Sequence, residues 1–198
     1  MRSRVRAALL LAALVLTAGP GVAHARGGFV FDVGKTGAIS GPLTDGGMSL
    51  GLGLLWPVDE APWGLPVRFG LMGYYDDMGS QVEPLVGGAG NVIGVAETQH
   101  QDVFGAAFRL DWEPELGWKW RPYGSGTWGY YRVTTDLHGA TLGGVSAPGF
   151  SLGAGIVHHL ASGSSIGAVV RYHRLFDDET GRYVSGAVEW GWRPRGAR

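Results

Sequence analysis

From Gly28 onward, large apolar residues recur at every second position, and no repeat of helical period competes with them. Met48, Leu50, Leu52, Leu54 and Trp56 alternate with Gly47, Ser49, Gly51 and Gly53. Phe104, Ala106, Phe108, Leu110 and Trp112 alternate with Val103, Gly105, Ala107, Arg109 and Asp111. Phe150, Leu152, Ala154 and Ile156 repeat the pattern against Ser151, Gly153 and Gly155. Successive side chains of a strand point to opposite faces, so each segment has one greasy face and one small or polar face. Eight such segments can be counted, at 27–36, 46–57, 65–77, 101–113, 119–134, 149–160, 165–177 and 182–193. The 36 glycines would suggest low complexity in isolation. They occur beside 8 Trp, 7 Tyr and 7 Phe, which disordered chains lack. Glycine within a strand marks a bend or a close approach of the sheet.

The connections alternate in character. Those after the second, fourth and sixth segments are short: Val58 to Gly64, Pro114 to Trp118, and Ala161 to Ser164. Those after the first, third and fifth are longer, Gly37 to Asp45, Met78 to His100, and Thr135 to Pro148, while Asp178 to Gly181 is tight. Short turns at one end and long loops at the other is the plan of bacterial outer-membrane barrels, with the short turns periplasmic. An even number of antiparallel strands closes without a free edge, as a lipid solvent requires.

Which face points inward decides between membrane and water. A soluble barrel turns its large apolar side chains inward. Here the small face carries Asp32, Arg68, Asp76, Arg109, Asp111, Arg171, His173 and Glu189, and the greasy face is uncharged across most of each strand. Eight strands leave a lumen just wide enough for side chains, so these charges are expected to fill and pair within it. The inside-out alternative is a lipocalin-like soluble barrel. Aromatic placement favours the membrane: Trp56, Trp63, Trp112, Trp118, Trp120, Trp190 and Trp192 sit at strand ends beside the short turns or the C-terminus. Tyr74, Tyr75, Tyr130, Tyr131, Tyr172 and Tyr183 sit at the opposite ends, and only Trp128 among the tryptophans departs from the pattern. Two such belts are read as interfacial girdles around an apolar band. The fold class is therefore all-β, an eight-stranded antiparallel up-and-down transmembrane β-barrel.

Upstream, Arg2, Arg4 and Arg6 precede the apolar run Ala8 to Thr17, and Ala23-His24-Ala25 supplies small residues at a cleavage site. This layout predicts a secretory signal peptide over 1–25, a barrel over 26–193 and a short tail over 194–198. The apolar run, interrupted by Gly19-Pro20-Gly21, is too short for a retained spanning helix. Cleavage would lower Lys+Arg from 16 to 13 against 17 Asp+Glu, a net charge of −4 that argues against nucleic acid as a partner. An exported chain with no cysteine has no disulfides to stabilise it.

Two stretches resemble the small outer-membrane β-barrel family that includes OmpX-like and Opa-like proteins. Trp120-Arg121-Pro122-Tyr123-Gly124-Ser125-Gly126-Thr127-Trp128-Gly129-Tyr130-Tyr131 is similar to that family's fifth strand. The stretch from Gly153-Ala154-Gly155 to Ile166-Gly167-Ala168-Val169-Val170-Arg171-Tyr172 is similar to its sixth and seventh strands. The likeness covers the 26–193 layout and implies fold and location, not an activity. One departure is that relatives end on an aromatic residue, whereas here Trp192 is followed by residues 193–198.

Candidate chemistry is sparse. His158 and His159, adjacent on a strand, diverge to opposite faces, which excludes a shared metal. Ser162 to Ser165 lie in a glycine-containing turn whose chemistry is that of a turn, with no readable triad. Asp177-Asp178-Glu179 lacks the spacing of a known Ca²⁺ loop. No cofactor is demanded. The expected role is structural or surface-interaction, as a monomer. Its partners would be outer-membrane lipid and lipopolysaccharide, with an extracellular ligand at the long loops. A lipid A-modifying enzyme and a narrow transport pore are the alternatives.

Overall fold

The structure, a computed structural model, describes residues 27–39, 46–58, 66–86, 88, 90–137, 140–161, 163–176 and 181–193. Residues 1–26 and 194–198, with the expected signal peptide and tail, lie outside them, as do Trp63, Ser162 and Asp177 to Glu179. Eight strands form a closed barrel in sequence order: β1 (Gly28–Ala38), β2 (Met48–Pro57), β3 (Val67–Val86), β4 (Val92–Trp112), β5 (Trp120–Leu137), β6 (Ala140–His159), β7 (Ser164–Leu175) and β8 (Arg182–Trp192). Every neighbouring pair is antiparallel, and β1 closes on β8 from Phe29↔Trp192 to Ala38↔Tyr183. The ladder therefore has no free edge, and every strand finds its backbone partners on both sides.

The alternation read from the sequence sets the two surfaces. On β7, Val169, Arg171, His173 and Leu175 are buried, while Val170 and Arg174 are exposed. On β8, Tyr183, Ser185, Ala187 and Glu189 are buried, while Val184, Val188 and Trp190 are exposed. The outer wall shows large apolar side chains such as Phe108, Leu110, Leu152 and Val170. The lumen holds the charges and the buried tyrosines. A wall of this kind over a polar interior has the polarity that lipid imposes on a barrel.

Two expected loops are paired strands. The sequence predicts a loop over Met78 to His100, yet β3 continues to Val86 and β4 begins at Val92. Thr135 to Pro148 likewise belongs to a hairpin that pairs as far as Leu137↔Ala140. Their Gly- and Pro-containing sequences break the two-residue repeat, which hid the ladder. The pairing absorbs the irregularity through register shifts at Asp77/Ser80, Gln81/Val82 and Leu85/Val86. At the first of these, Gly79 takes a left-handed φ of 83° that other residues rarely adopt.

Candidate functional site

The lumen is crossed by two polar layers. In the layer nearer the short turns, Arg109 Nε donates to Asp111 Oδ1 at 2.7 Å, and its Nη2 lies 2.8 Å from Glu189 Oε2. Arg171 Nη2 donates to the same Glu189 oxygen at 3.1 Å. Its approach of 2.9 Å to Asp32 Oδ2 lacks hydrogen-bond alignment and is an ion contact. Arg68 Nη2 donates to Asp111 Oδ2 at 3.2 Å from the rim of this layer. Three guanidiniums thus meet three carboxylates, and no charge of the layer is left alone. That arrangement is what a dry interior demands, because an unpaired buried ion costs several kcal/mol. Small residues on facing strands make the space: a Cβ on Gly51 would collide with the Asp32 carboxylate.

Asp76 and His173 stand apart from the arginines, in a layer nearer the long hairpins. Ser49 Oγ and Tyr183 Oη donate to the two Asp76 oxygens at 2.5 and 2.8 Å. His173 Nε2 meets Ser185 Oγ at 2.8 Å, and its ring stacks on Tyr183 with centroids 4.2 Å apart. Tyr74 meets the same imidazole edge-on. The lumen charges expected from the sequence thus fall into two groups, joined through no direct ion pair among the described residues.

The aromatic belts need one correction. Trp112, Trp118, Trp120, Trp190 and Trp192 are exposed on the wall at the short-turn end, with Trp56 half-buried beside Phe69. At the other end Tyr130 is exposed, and Tyr75 and Tyr172 are partly so. Tyr74, Tyr131 and Tyr183 are fully buried in the lumen instead. Adjacent residues such as Tyr74 and Tyr75 cannot share a face, so half of the tyrosines expected in that girdle fill the interior.

At the short-turn end, Glu113 gathers His159 Nε2 at 2.6 Å, Arg121 at 3.5 Å and Arg68 at 3.6 Å. Burial alone would raise the Glu113 carboxyl, but the His159 hydrogen bond and the surrounding cations outweigh it and hold it below its ordinary range. His158 turns elsewhere, to the Lys119 carbonyl at 2.7 Å.

A second polar cluster, which the sequence did not disclose, lies on the outer wall of β3 and β4. Cross-strand pairing puts Tyr75↔Phe104, Asp77↔Asp102 and Ser80↔His100 on one face of the ladder, where His100 and Asp102 are buried and Tyr75, Asp77 and Ser80 half-buried. Ser80 Oγ lies 3.0 Å from His100 Nδ1, and His100 Nε2 lies 3.3 Å from Asp102 Oδ1 and 3.7 Å from Asp77 Oδ1. Tyr75 Oη donates to Asp102 Oδ1 at 2.7 Å, and the Gly79 amide donates to Asp77 at 2.8 Å. No spacing rule could find this group, because the bulge at Asp77/Ser80 brings Ser80 into register with His100.

Below the cluster, the same wall carries an apolar groove of about 650 Å³. Its lining includes Gly73, Ala106 and Gly129 together with Leu52, Phe108 and Trp128.

No protein-family model matches the sequence, and no curated protein matches it. Solved structures do. Neisserial surface protein A (NspA) superposes with a TM-score of 0.63 at 11% identity, over 86% of this chain and 98% of that one. The fold is that of a small eight-stranded outer-membrane β-barrel. The N-terminal β-barrel domain of Pseudomonas aeruginosa OprF follows at a TM-score of 0.51 and 13% identity, covering 85% of this chain and 98% of that domain. The outer membrane enzyme PagL superposes with a TM-score of 0.48 at 16% identity, over 84% of this chain and 99% of that one.

Proposed function

We propose that the chain is an exported outer-membrane barrel, monomeric, whose role is to hold the β3–β4 and β5–β6 hairpins at the cell surface for a partner. The observation that carries this reading is the extension of β3 and β4 as a paired ladder beyond the apolar wall. It ends in a tip where Leu85, Val86 and Val92 are exposed. Apolar side chains grouped at the end of a projecting element mark an interaction surface. Buried Arg109, Arg171, Tyr74, Tyr131 and Tyr183 occupy the lumen, which supports a filled interior rather than a transport path. The lumen ion pairs then act structurally, and Trp56, Trp112, Trp120, Trp190, Trp192, Tyr75, Tyr130 and Tyr172 anchor the wall at the two interfaces.

The test is cell fractionation with N-terminal sequencing, followed by protease treatment of intact cells. The expected result is recovery with outer membranes, a chain starting at Arg26, and cleavage near residues 86–92 without cell lysis. Recovery in the soluble periplasmic fraction would overturn the reading.

A further inference from the structure

We propose that Ser80, His100 and Asp102 form an ester-hydrolysing site on the outer wall of the barrel, acting on an acyl ester of an amphiphile in the outer leaflet. The proposal goes beyond surface display and rests on the membrane placement given above.

The geometry is that of an activated serine. Asp102 Oδ1 lies 3.3 Å from His100 Nε2, a placement that favours the proton on Nε2 and leaves Nδ1 as the acceptor facing the Ser80 hydroxyl at 3.0 Å. A nucleophile, a base that can take its proton and a carboxylate that orients the base make up the working parts of such a site. Tyr75 fixes Asp102 through its hydroxyl, and Asp77 adds a second negative charge on the Nε2 side. Ser80 itself is half-buried.

Depth selects the substrate. His100 stands 12 residue steps along β4 from Trp112 in the short-turn girdle. At about 3.3 Å per residue and a tilt of about 40°, this lifts the cluster roughly 30 Å above that girdle. An apolar band is about 25 Å tall, so the cluster sits just above it, where ester carbonyls of lipids lie. The apolar groove over Gly73 and Ala106 opens on the same wall, about 20 Å down the strand from His100. An extended acyl chain whose ester is held at Ser80 would run down the wall toward this groove. The occupant is thus a fatty acyl chain, and the bond at the cluster is its ester.

In the reaction, Ser80 Oγ attacks the ester carbonyl carbon while its proton passes to His100 Nδ1. The carbon–oxygen bond to the lipid breaks as His100 returns that proton to the leaving alkoxide, giving acyl-Ser80. Water then attacks the acyl carbon and gives its proton to His100. The bond to Oγ breaks, the proton returns to Ser80, and a free fatty acid departs. No redox change occurs. Asp102 acts as a positioning residue through His100.

Full-length mature protein, refolded into detergent micelles, would be incubated in separate arms with a glycerophospholipid and with lipid A, and free fatty acid read by mass spectrometry. The expected result is release in one arm, which names the source. Ser80→Ala and His100→Ala should each lower release at least about 100-fold, with the unheated-gel mobility of a folded barrel retained. Asp102→Asn should lower kcat with KM unchanged, and Asp102→Glu should recover part of it. An alkyl fluorophosphonate should label wild-type protein at Ser80. No release in either arm from protein that is folded and inserts into vesicles overturns the proposal alone, whereas failure to insert overturns the membrane reading with it. Release that survives Ser80→Ala, or that EDTA abolishes and Ca²⁺ restores, also overturns it. The latter would mean that Asp77, His100 and Asp102 hold a cation.

Discussion

Gly105 faces the lumen, where a Cβ would run into the buried ring of Tyr131. Gly105→Ala should therefore overpack the interior and cost about 1–3 kcal/mol, measured by reversible unfolding from lipid vesicles. The opposite face follows a different rule. Leu52 lies outward, midway along β2, and Leu52→Arg should cost about 2–4 kcal/mol in the same assay because a cation would enter the bilayer midplane. Ser49→Thr keeps the hydroxyl that serves Asp76 and should be mild. Equal costs at Leu52 and Ser49 would contradict the assignment of faces. At the short-turn end, Glu113 is held below its ordinary pKa of 4.5. A depressed folded-state pKa gives stability that is full above the unfolded value and lost as pH falls through the folded one. Glu113→Gln should thus destabilise the protein at neutral pH, and the difference should vanish in acid below the Glu113 titration.

Elements were legible where one face was uniform. The eight strands, their order and their inner and outer sets follow from the two-residue repeat, as in Met48 to Trp56. The repeat fails above Asp77, where Gly79 and the shifted register put two residues of β3 outside the ladder. An extra residue reverses the parity of everything after it, so residues 78–100 read as loop although they pair. The Ser80–His100–Asp102 cluster went unseen for the same reason. Asp102 was visible only as the start of an alternating set, and His100 as the end of a loop. The projecting hairpin is separable from the barrel on physical grounds, since it makes its ladder with itself. Replacing residues 82–98 with an Asn-Gly turn should leave a barrel of unchanged gel mobility, because Ser80↔His100 and Gln81↔Gln99 still close it. Surface binding should be lost while lipid hydrolysis is kept, which separates the two proposed activities by element.

Across the whole molecule, the lumen layer ties distant strands together. Arg171 on β7 bonds Glu189 on β8 and approaches Asp32 on β1, while Arg109 on β4 reaches Glu189 from the opposite side. The chain of charges therefore runs across the interior and spans the β1–β8 closure. Glu189 is the shared member, held by two arginines, whereas Arg171 retains Asp32 if Glu189 is removed. The two truncations should then be unequal. Glu189→Gln leaves two buried cations short of one carboxylate and should cost more than Asp32→Asn, where Arg171 keeps Glu189. Loss of a buried partner is expected to cost about 3–5 kcal/mol. In a double-mutant cycle, Arg171→Met with Glu189→Gln should cost less than the sum of the singles, with a coupling of about 0.5–3 kcal/mol. Arg109→Met with Glu189→Gln should couple by a similar amount, since both arginines lean on one carboxylate. Coupling near zero in both cycles, read from vesicle unfolding, would mean that water screens the layer. The filled lumen would then give way to a wet one, and an ion path along Arg68, Arg109 and Arg171 would become the better account of why so many charges line so narrow a barrel.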